Sequence, residues 1–435
     1  MTALIVIFLV VLWLLWLTSK PGQIPLVSEA DRAKLAGCME ARPSVGDSTG
    51  REENAPSHTH ETGKSLLQVE QTTDNLIDTY PDFHPMVKQL LEDIGTAEHF
   101  IHVQFFKFEA DAIGQCIGDA LIAKAKQGIE VRLLYDDMAN MKSKWYYKKL
   151  QREGIEVCGF GPAYIPFLRK KDNYRNHRKV VVIDGKKGYL GGMNIADRYY
   201  QGLRWGNWRD TQIRLQGPAV GELQLAFLYD WRYASGKLLA DKKYFPKVEG
   251  LGNLPVRVLT SGPIGEGPTI MKELCRILDT SQQYVYWESP YFIPTREVMQ
   301  SICRAARRGV NVRIIIPPRG DRGILTPLAS KSYLSEVLEA GADIYFYSKG
   351  YMHSKIVACD DRIATIGSTN IDPRSYLLDL EINAFIEDEK YTRTIKEIFL
   401  ADEKESEHIT KEQWAERPCR QRLFEHIARL FSAQL

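Results

Sequence analysis

Residues 176–194 read NHRKVVVIDGKKGYLGGMN, and residues 352–370 read MHSKIVACDDRIATIGSTN. One pattern underlies both: a histidine, a lysine two positions on, an aspartate ending an apolar run, then a Gly-rich turn and an asparagine. His177, Lys179, Asp184 and Asn194 correspond to His353, Lys355, Asp360 and Asn370 at a constant offset of 176 (353 less 177). No gap is needed between the first marker and the last. The period is too long for a solenoid and implies a duplicated domain.

The flanks repeat as well. HFIHVQFF (99–106) is strand-like, IGQCIGDALIAKAKQG (113–128) is helical with a glycine stop, and IEVRLLYDD (129–137) returns to strand. QYVYWES (283–289), REVMQSICRAARRG (296–309) and VNVRIIIPP (310–318) repeat that order. Strand, helix and strand make a βαβ unit, which favours a parallel or mixed sheet covered by helices. The expected fold class is α/β, with two pseudo-twofold-related domains of mixed sheet flanked by helices at 67–245 and 246–435.

The motif's spacing has a chemical reason. A histidine and a lysine two apart on an extended strand point to one face and converge on one anion. The turn brings the asparagine back beside them as an amide donor to a phosphate oxygen. One copy supplies a nucleophile or acid, a cation and an amide. Two facing copies supply what phosphodiester exchange requires. The candidate catalytic set is His177, Lys179, Asp184, His353, Lys355 and Asp360, with Asn194 and Asn370 binding phosphate. Asp184 and Asp360 end strands before turns, so they are expected to support the fold beside the site. Two further acids, Asp210 in NWRDTQIRL and Glu381 in LEINAFI, stand in alternating apolar sequence where an unpaired carboxylate is costly. A histidine Nδ1–H is one natural partner for them, and an arginine such as Arg209 or Arg214 is the other. No metal cluster or nucleotide loop is present in the sequence, and neither metal nor cofactor is expected.

Composition bounds the partners. Of 435 residues, 44% are hydrophobic, and 57 Lys+Arg against 55 Asp+Glu leave a net charge of +2. So small a charge gives no global field for nucleic acid, and none is expected as a partner. Seven scattered cysteines without Cys-x-x-Cys spacing fit reduced thiols. Residues 2–18, TALIVIFLVVLWLLWLT, carry no charge. At ~1.5 Å per residue they reach about 25 Å, enough for a marginal membrane span. The expectation is an uncleaved single-pass anchor over 1–19, with Lys20, Arg32 and Lys34 behind it setting the catalytic bulk on the cytoplasmic side of the cell membrane. A flexible linker is expected over 20–66, whose polar stretch 39–64 holds His58 and His60 as solvated residues. Residues 163–171, AYIPFLRKK, suit an anionic interface or a substrate-loop wall. The tail 417–435 sets Leu423, Phe424, Ile427, Leu430, Phe431 and Leu435 at helical spacing, with Arg420, Arg422 and Arg429 elsewhere on the turn. Such a helix fits either a membrane surface or the protein body.

These residues resemble the phospholipase D superfamily, whose members carry two HxK(x)4D(x)6G-[SG]-x-N motifs on a bilobal α/β fold with one shared site. The resemblance runs from about residue 69 to the C-terminus. RNHRK with VIDG, YLGGMNIAD, NWRDTQIRLQGPAV, SPYFIP and GSTNIDPRSYLLDLEIN are similar to bacterial cardiolipin synthases, and the RPCRQRLFEHIARLF ending to their minor type. Two features depart from that family: one apolar N-terminal segment where two are common, and Asp379 where asparagine is frequent. The resemblance implies transfer of a phosphatidyl group between two phosphatidylglycerols, giving cardiolipin and glycerol through a phosphatidyl-histidine. It implies His177 as nucleophile and His353 as acid and base, with Asp210 and Glu381 orienting the imidazoles. Phosphatidylglycerol and anionic membrane lipids are the implied partners. The same constellation serves hydrolytic phospholipases D and membrane-tethered nucleases, and a silent lipid-binding protein is a third class.

Overall fold

A computed structural model describes residues 27–40, 71–161, 173–248, 251–321 and 323–432. The expected anchor, His58, His60 and residues 163–171 lie outside them. Among the described residues no helix is long and apolar enough to cross a membrane.

Both βαβ units form where the apolar periodicity changes. Strand Phe100–Phe105 pairs in parallel with Glu130–Asp136 through helix Ala112–Lys126, and Tyr284–Glu288 pairs in parallel with Asn311–Ile316 through Arg296–Arg307. The helices start at caps: Asp111 accepts from the Gly114 N–H at 3.1 Å, and Thr295 from the Val298 N–H at 3.4 Å. Beyond them the chain turns at Gly128 and Gly309, whose φ of 85° and 88° a side chain would resist. Strands Phe100–Phe105 and Tyr284–Glu288 are buried along their whole length, as strands covered on both faces must be.

One sheet carries both halves. Its order runs Glu156–Phe160, Glu130–Asp136, Phe100–Phe105, Val180–Ile183, Lys187–Gly191, Gln212–Gln216 and Thr72–Tyr80. It continues through Leu254–Ser261, Asp379–Ile386, Ile363–Gly367, Ile356–Cys359, Tyr284–Glu288, Asn311–Ile316, Asp343–Tyr347 and Ser406–Ile409. The seam is strand Thr72–Tyr80, which pairs with Leu254–Ser261 through Thr72 and Asn75 and with Gln212–Gln216 from Leu76 onward. A shift of register at Asp74, whose φ is 65°, lets it serve both.

Each motif strand lies antiparallel to the first strand of its βαβ unit: Val180–Ile183 on Phe100–Phe105, and Ile356–Cys359 on Tyr284–Glu288. At their far ends stand Asp184 and Asp360. Both bind backbone amides away from the histidines. Asp184 accepts from the backbone N–H of Glu98, His99 and Phe100, each at 2.8 Å. Asp360 accepts from Gln282, Gln283 and Tyr284 at 2.8, 2.9 and 2.8 Å. Their left-handed φ values of 53° and 54° aim each carboxylate back at that strand start. The length of the motif strand, roughly 13 Å, separates each from its lysine.

The expected linker needs correcting at one place: residues Glu29–Glu40 form a helix. Buried Leu35, an ion pair from Asp31 to Arg232 at 2.9 Å and Arg32 over the Tyr229 ring hold it on helix Val220–Ser235. The amphipathic tail forms helix Cys419–Arg429, and its apolar residues Leu423, Phe424 and Ile427 are exposed. All seven cysteines are unpaired.

Replacing Asp184 with Ala should cost about 3 kcal/mol in urea unfolding, because three backbone amides lose their acceptor. Asp360→Ala should cost less, since that carboxylate is only half-buried whereas Asp184 is buried. Equal costs would contradict the role of burial.

Candidate active site

The two motifs enter the site by pairing with each other's halves. Arg175–Asn176 runs parallel to Asp379–Leu380, and the His177 N–H donates to Leu380 O at 3.0 Å. Gly350–Met352 runs parallel to Asn207–Arg209, and the His353 N–H donates to Arg209 O at 2.7 Å. Residues 177–179 and 353–355 are outside any strand. The histidine and lysine thus stand in an irregular stretch leading into the motif strand, which corrects the expectation of a regular ladder.

The side chains cross over in the same way. His177 Nδ1 donates to Glu381 Oε1 at 2.9 Å, and His353 Nδ1 donates to Asp210 Oδ2 at 2.6 Å. Each imidazole is therefore fixed by a carboxylate from the opposite half, leaving its Nε2 free for chemistry. The arginine alternative fails, because Arg209 pairs with Asp402 at 2.6 Å and Arg214 with Asp93 at 2.6 Å. Lys179 Nζ donates to His177 O and Lys355 Nζ to His353 O, which tucks each ammonium beside its own histidine.

Behind each motif lies a buried pair. Arg178 reaches Asp230 at 2.9 Å and Glu266 at 2.5 Å while donating to Glu381 O. Arg209 does the corresponding work for Asp402. Each buried guanidinium there faces at least one carboxylate.

Burial dominates the site's acidities. It depresses both imidazoles well below the usual histidine range, aided at His177 by Lys179 and at His353 by Lys355, Lys179 and His177. Burial also pulls Lys179 down to about 7 and Lys355 to about 8. The same loss of water raises Glu381 to about 7 and Asp210 to about 6.

The halves differ at the Gly-rich turn. A Cβ at Gly192 would lie 2.1 Å from Asp210 Oδ1, so only glycine leaves room for that carboxylate. The matching Ser368 instead donates from Oγ to Glu381 Oε2. The asparagines differ too. Asn194 accepts from the Lys107 N–H at 3.0 Å and donates to Tyr199 OH at 2.8 Å, so its amide is already engaged. Asn370 is buried, and its Oδ1 has no partner among the described residues.

Several wall residues had no signal in the motif. Tyr199 OH lies 3.4 Å from His353 Nδ1, and the Trp208 ring 5.1 Å from the His353 ring. Phe106 meets His177 edge-on at 4.8 Å and underlies Lys179 Nζ at 5.5 Å. Asp379 is two residues before Glu381 on one strand, hence on the same face, and pairs with Arg374 at 2.9 Å. Its charge opposes the depression of His177.

The family model described as cardiolipin synthase, PLD-like domain, matches residues 90–216 and 274–403. Cardiolipin synthase 1 of Staphylococcus epidermidis is 38% identical over 365 residues, covering 83% of this chain and 74% of that one. Major cardiolipin synthase ClsA of Bacillus subtilis is 37% identical over 366 residues, covering 83% and 76%. Among solved structures, phosphatidylserine synthase of Haemophilus influenzae superposes with a TM-score of 0.65 at 16% identity, over 82% of this chain and 94% of that one. Polyphosphate kinase of Porphyromonas gingivalis gives 0.52 at 15% identity, over 81% and 52%. At such identities these two share the fold alone. The family match and the curated relatives decide the assignment: the chain belongs to the cardiolipin synthase family, phosphatidyltransferases of the phospholipase D superfamily.

Proposed function

We propose that this site moves a phosphatidyl group from one phosphatidylglycerol to the terminal hydroxyl of another, releasing glycerol and forming cardiolipin. The observation that carries the reading is the pair of crossed imidazole–carboxylate contacts, His177 with Glu381 and His353 with Asp210. His177 Nε2 attacks phosphorus, a P–N bond forms, and the glycerol oxygen leaves with a proton from His353 Nε2. In the second half His353 takes the proton of the acceptor hydroxyl, whose oxygen forms the new P–O bond as the P–N bond breaks. One phosphodiester replaces another, so the exchange needs no external energy source. Lys179, Lys355 and Asn370 hold the phosphate oxygens, while Asn194 acts through Tyr199. We assign residues 67–245 and 246–435 as the two catalytic units, and residues 1–19 as a single membrane anchor with the units on the cytoplasmic side.

The charges explain how His353 comes to carry a proton. A phosphodiester adds one negative charge beside the imidazoles, and that charge favours a proton on one of them. Substrate thus recruits the acid it needs.

Phosphatidylglycerol alone should give cardiolipin and glycerol with purified enzyme, and phosphatidic acid as the main product would mark a hydrolase instead. His177→Ala and His353→Ala should each lower turnover by about 10³-fold or more, so a near-normal rate in either would sink the shared site. Asp210→Asn and Glu381→Gln should each lower kcat by roughly 10²- to 10⁴-fold. Glycerophosphoglycerol, a phosphodiester singly charged throughout this pH range, should bind with uptake of about one proton, measured by calorimetry in buffers of different ionisation enthalpy. Lys179 and Lys355 are charged below their values of about 7 and 8 and neutral above them, so its affinity should fall as pH rises through that window. A flat pH profile would overturn the lysine assignment.

A further inference from the structure

Helix Cys419–Arg429 turns its polar side inward. Glu425 is fully buried and pairs with Arg417 at 3.1 Å, Ala428 packs with Ala329 and Ile293, and Arg429 reaches Glu336 at 2.7 Å. Leu423, Phe424, Ile427, Leu430 and Phe431 face away, with exposures of 59, 53, 45, 80 and 37%. The helix rests on Leu325–Ser332, at whose start Ile324 and Leu325 are exposed by 77 and 40%. A helix that serves only to cover its own protein buries the apolar stripe, the reverse of this arrangement. Isolated exposed apolar residues are ordinary, whereas three on one helix face, continued by Leu430 and Phe431 just after it, form a patch.

Charge identifies the occupant. The only acid within Cys419–Arg429 is Glu425, which is buried and paired. The exposed charges of that helix are Arg420 and Arg422. An outward face that is apolar, flanked by cations and without an anion complements an anionic lipid surface. Contacts also link the loop before Leu325–Ser332 to the His353 side of the site. Arg319, in the loop that leads to Leu325–Ser332, lies over the Trp205 ring at 5.0 Å. Trp205 meets Tyr351 edge-on at 6.4 Å, and the Tyr351 ring is 5.9 Å from that of His353.

We propose that the outward face of Cys419–Arg429 seats in the anionic bilayer surface and holds the His353 side of the site against the lipid plane. The proposal rests on the lipid reading of the reaction. Cys419, exposed at the start of the helix, supplies a reporter. In the full-length protein carrying Cys116→Ser, a polarity-sensitive dye on Cys419 should be quenched by nitroxide-labelled acyl chains in vesicles containing phosphatidylglycerol. Vesicles of phosphatidylcholine alone should quench it far less. No quenching with phosphatidylglycerol, or equal quenching in both, overturns the proposal. The triple variant Leu423→Ser, Ile427→Ser, Leu430→Ser should lose at least about tenfold in turnover of vesicle phosphatidylglycerol while keeping its rate on short-chain phosphatidylglycerol dispersed as monomers. Equal loss on both forms, or dissociation of an oligomer in sedimentation with vesicle turnover unchanged, overturns it in favour of a structural role or a second copy of the chain. Failure of the unsubstituted protein to act on either form would defeat the reaction reading, while the dye experiment still decides the surface.

Discussion

Each motif imidazole is held at Nδ1 by a carboxylate from the other half of the molecule, and the rest of the architecture follows from that exchange. Glu381 favours the Nδ1–H tautomer of His177, and Asp210 that of His353. The backbone repeats the exchange, since each histidine also hydrogen-bonds through its own N–H to a carbonyl across the interface. A site built in this way exists only when both halves are docked. The buried lysines, carboxylates and imidazoles tolerate loss of water because they neutralise one another at short range. Removing one partner would strand the others.

The duplication breaks down in an informative way at the turn after each motif. Gly192 makes room for the shorter acid, and Ser368 gives the longer acid a hydroxyl partner. Asn194 is committed to Lys107 and Tyr199, whereas Asn370 Oδ1 faces no such donor. Two motifs of one pattern thus present unequal surroundings to the two histidines.

Much of this was legible in the chain. The constant offset between motif residues and the repeated strand–helix–strand order lead to the correct fold class, and the cost of burying Asp210 and Glu381 points to histidine partners. What could not be read is non-local. Nothing in NWRDTQIRL says that Asp210 serves the histidine of the distant copy. The pairing of Arg209 with Asp402 and of Arg214 with Asp93 likewise depends on elements far apart in sequence. The helix at Glu29–Glu40 has weak apolar periodicity and is fixed by contacts with Val220–Ser235, so local pattern gave no signal for it. His-x-Lys alternation suggested a strand, but cross-half pairing of Arg175–Asn176 and Gly350–Met352 ends just before each histidine.

Strand Thr72–Tyr80 bears on how such a molecule is born. Its partner Gln212–Gln216 leaves the ribosome well before Leu254–Ser261, so the first half can close on one edge while the other remains open. An open edge invites pairing with any passing strand. Here the rightful occupant follows on the same nascent chain, at a local concentration that no foreign segment matches. The order of synthesis therefore leaves the seam open only until Leu254–Ser261, the first strand of the second half, emerges.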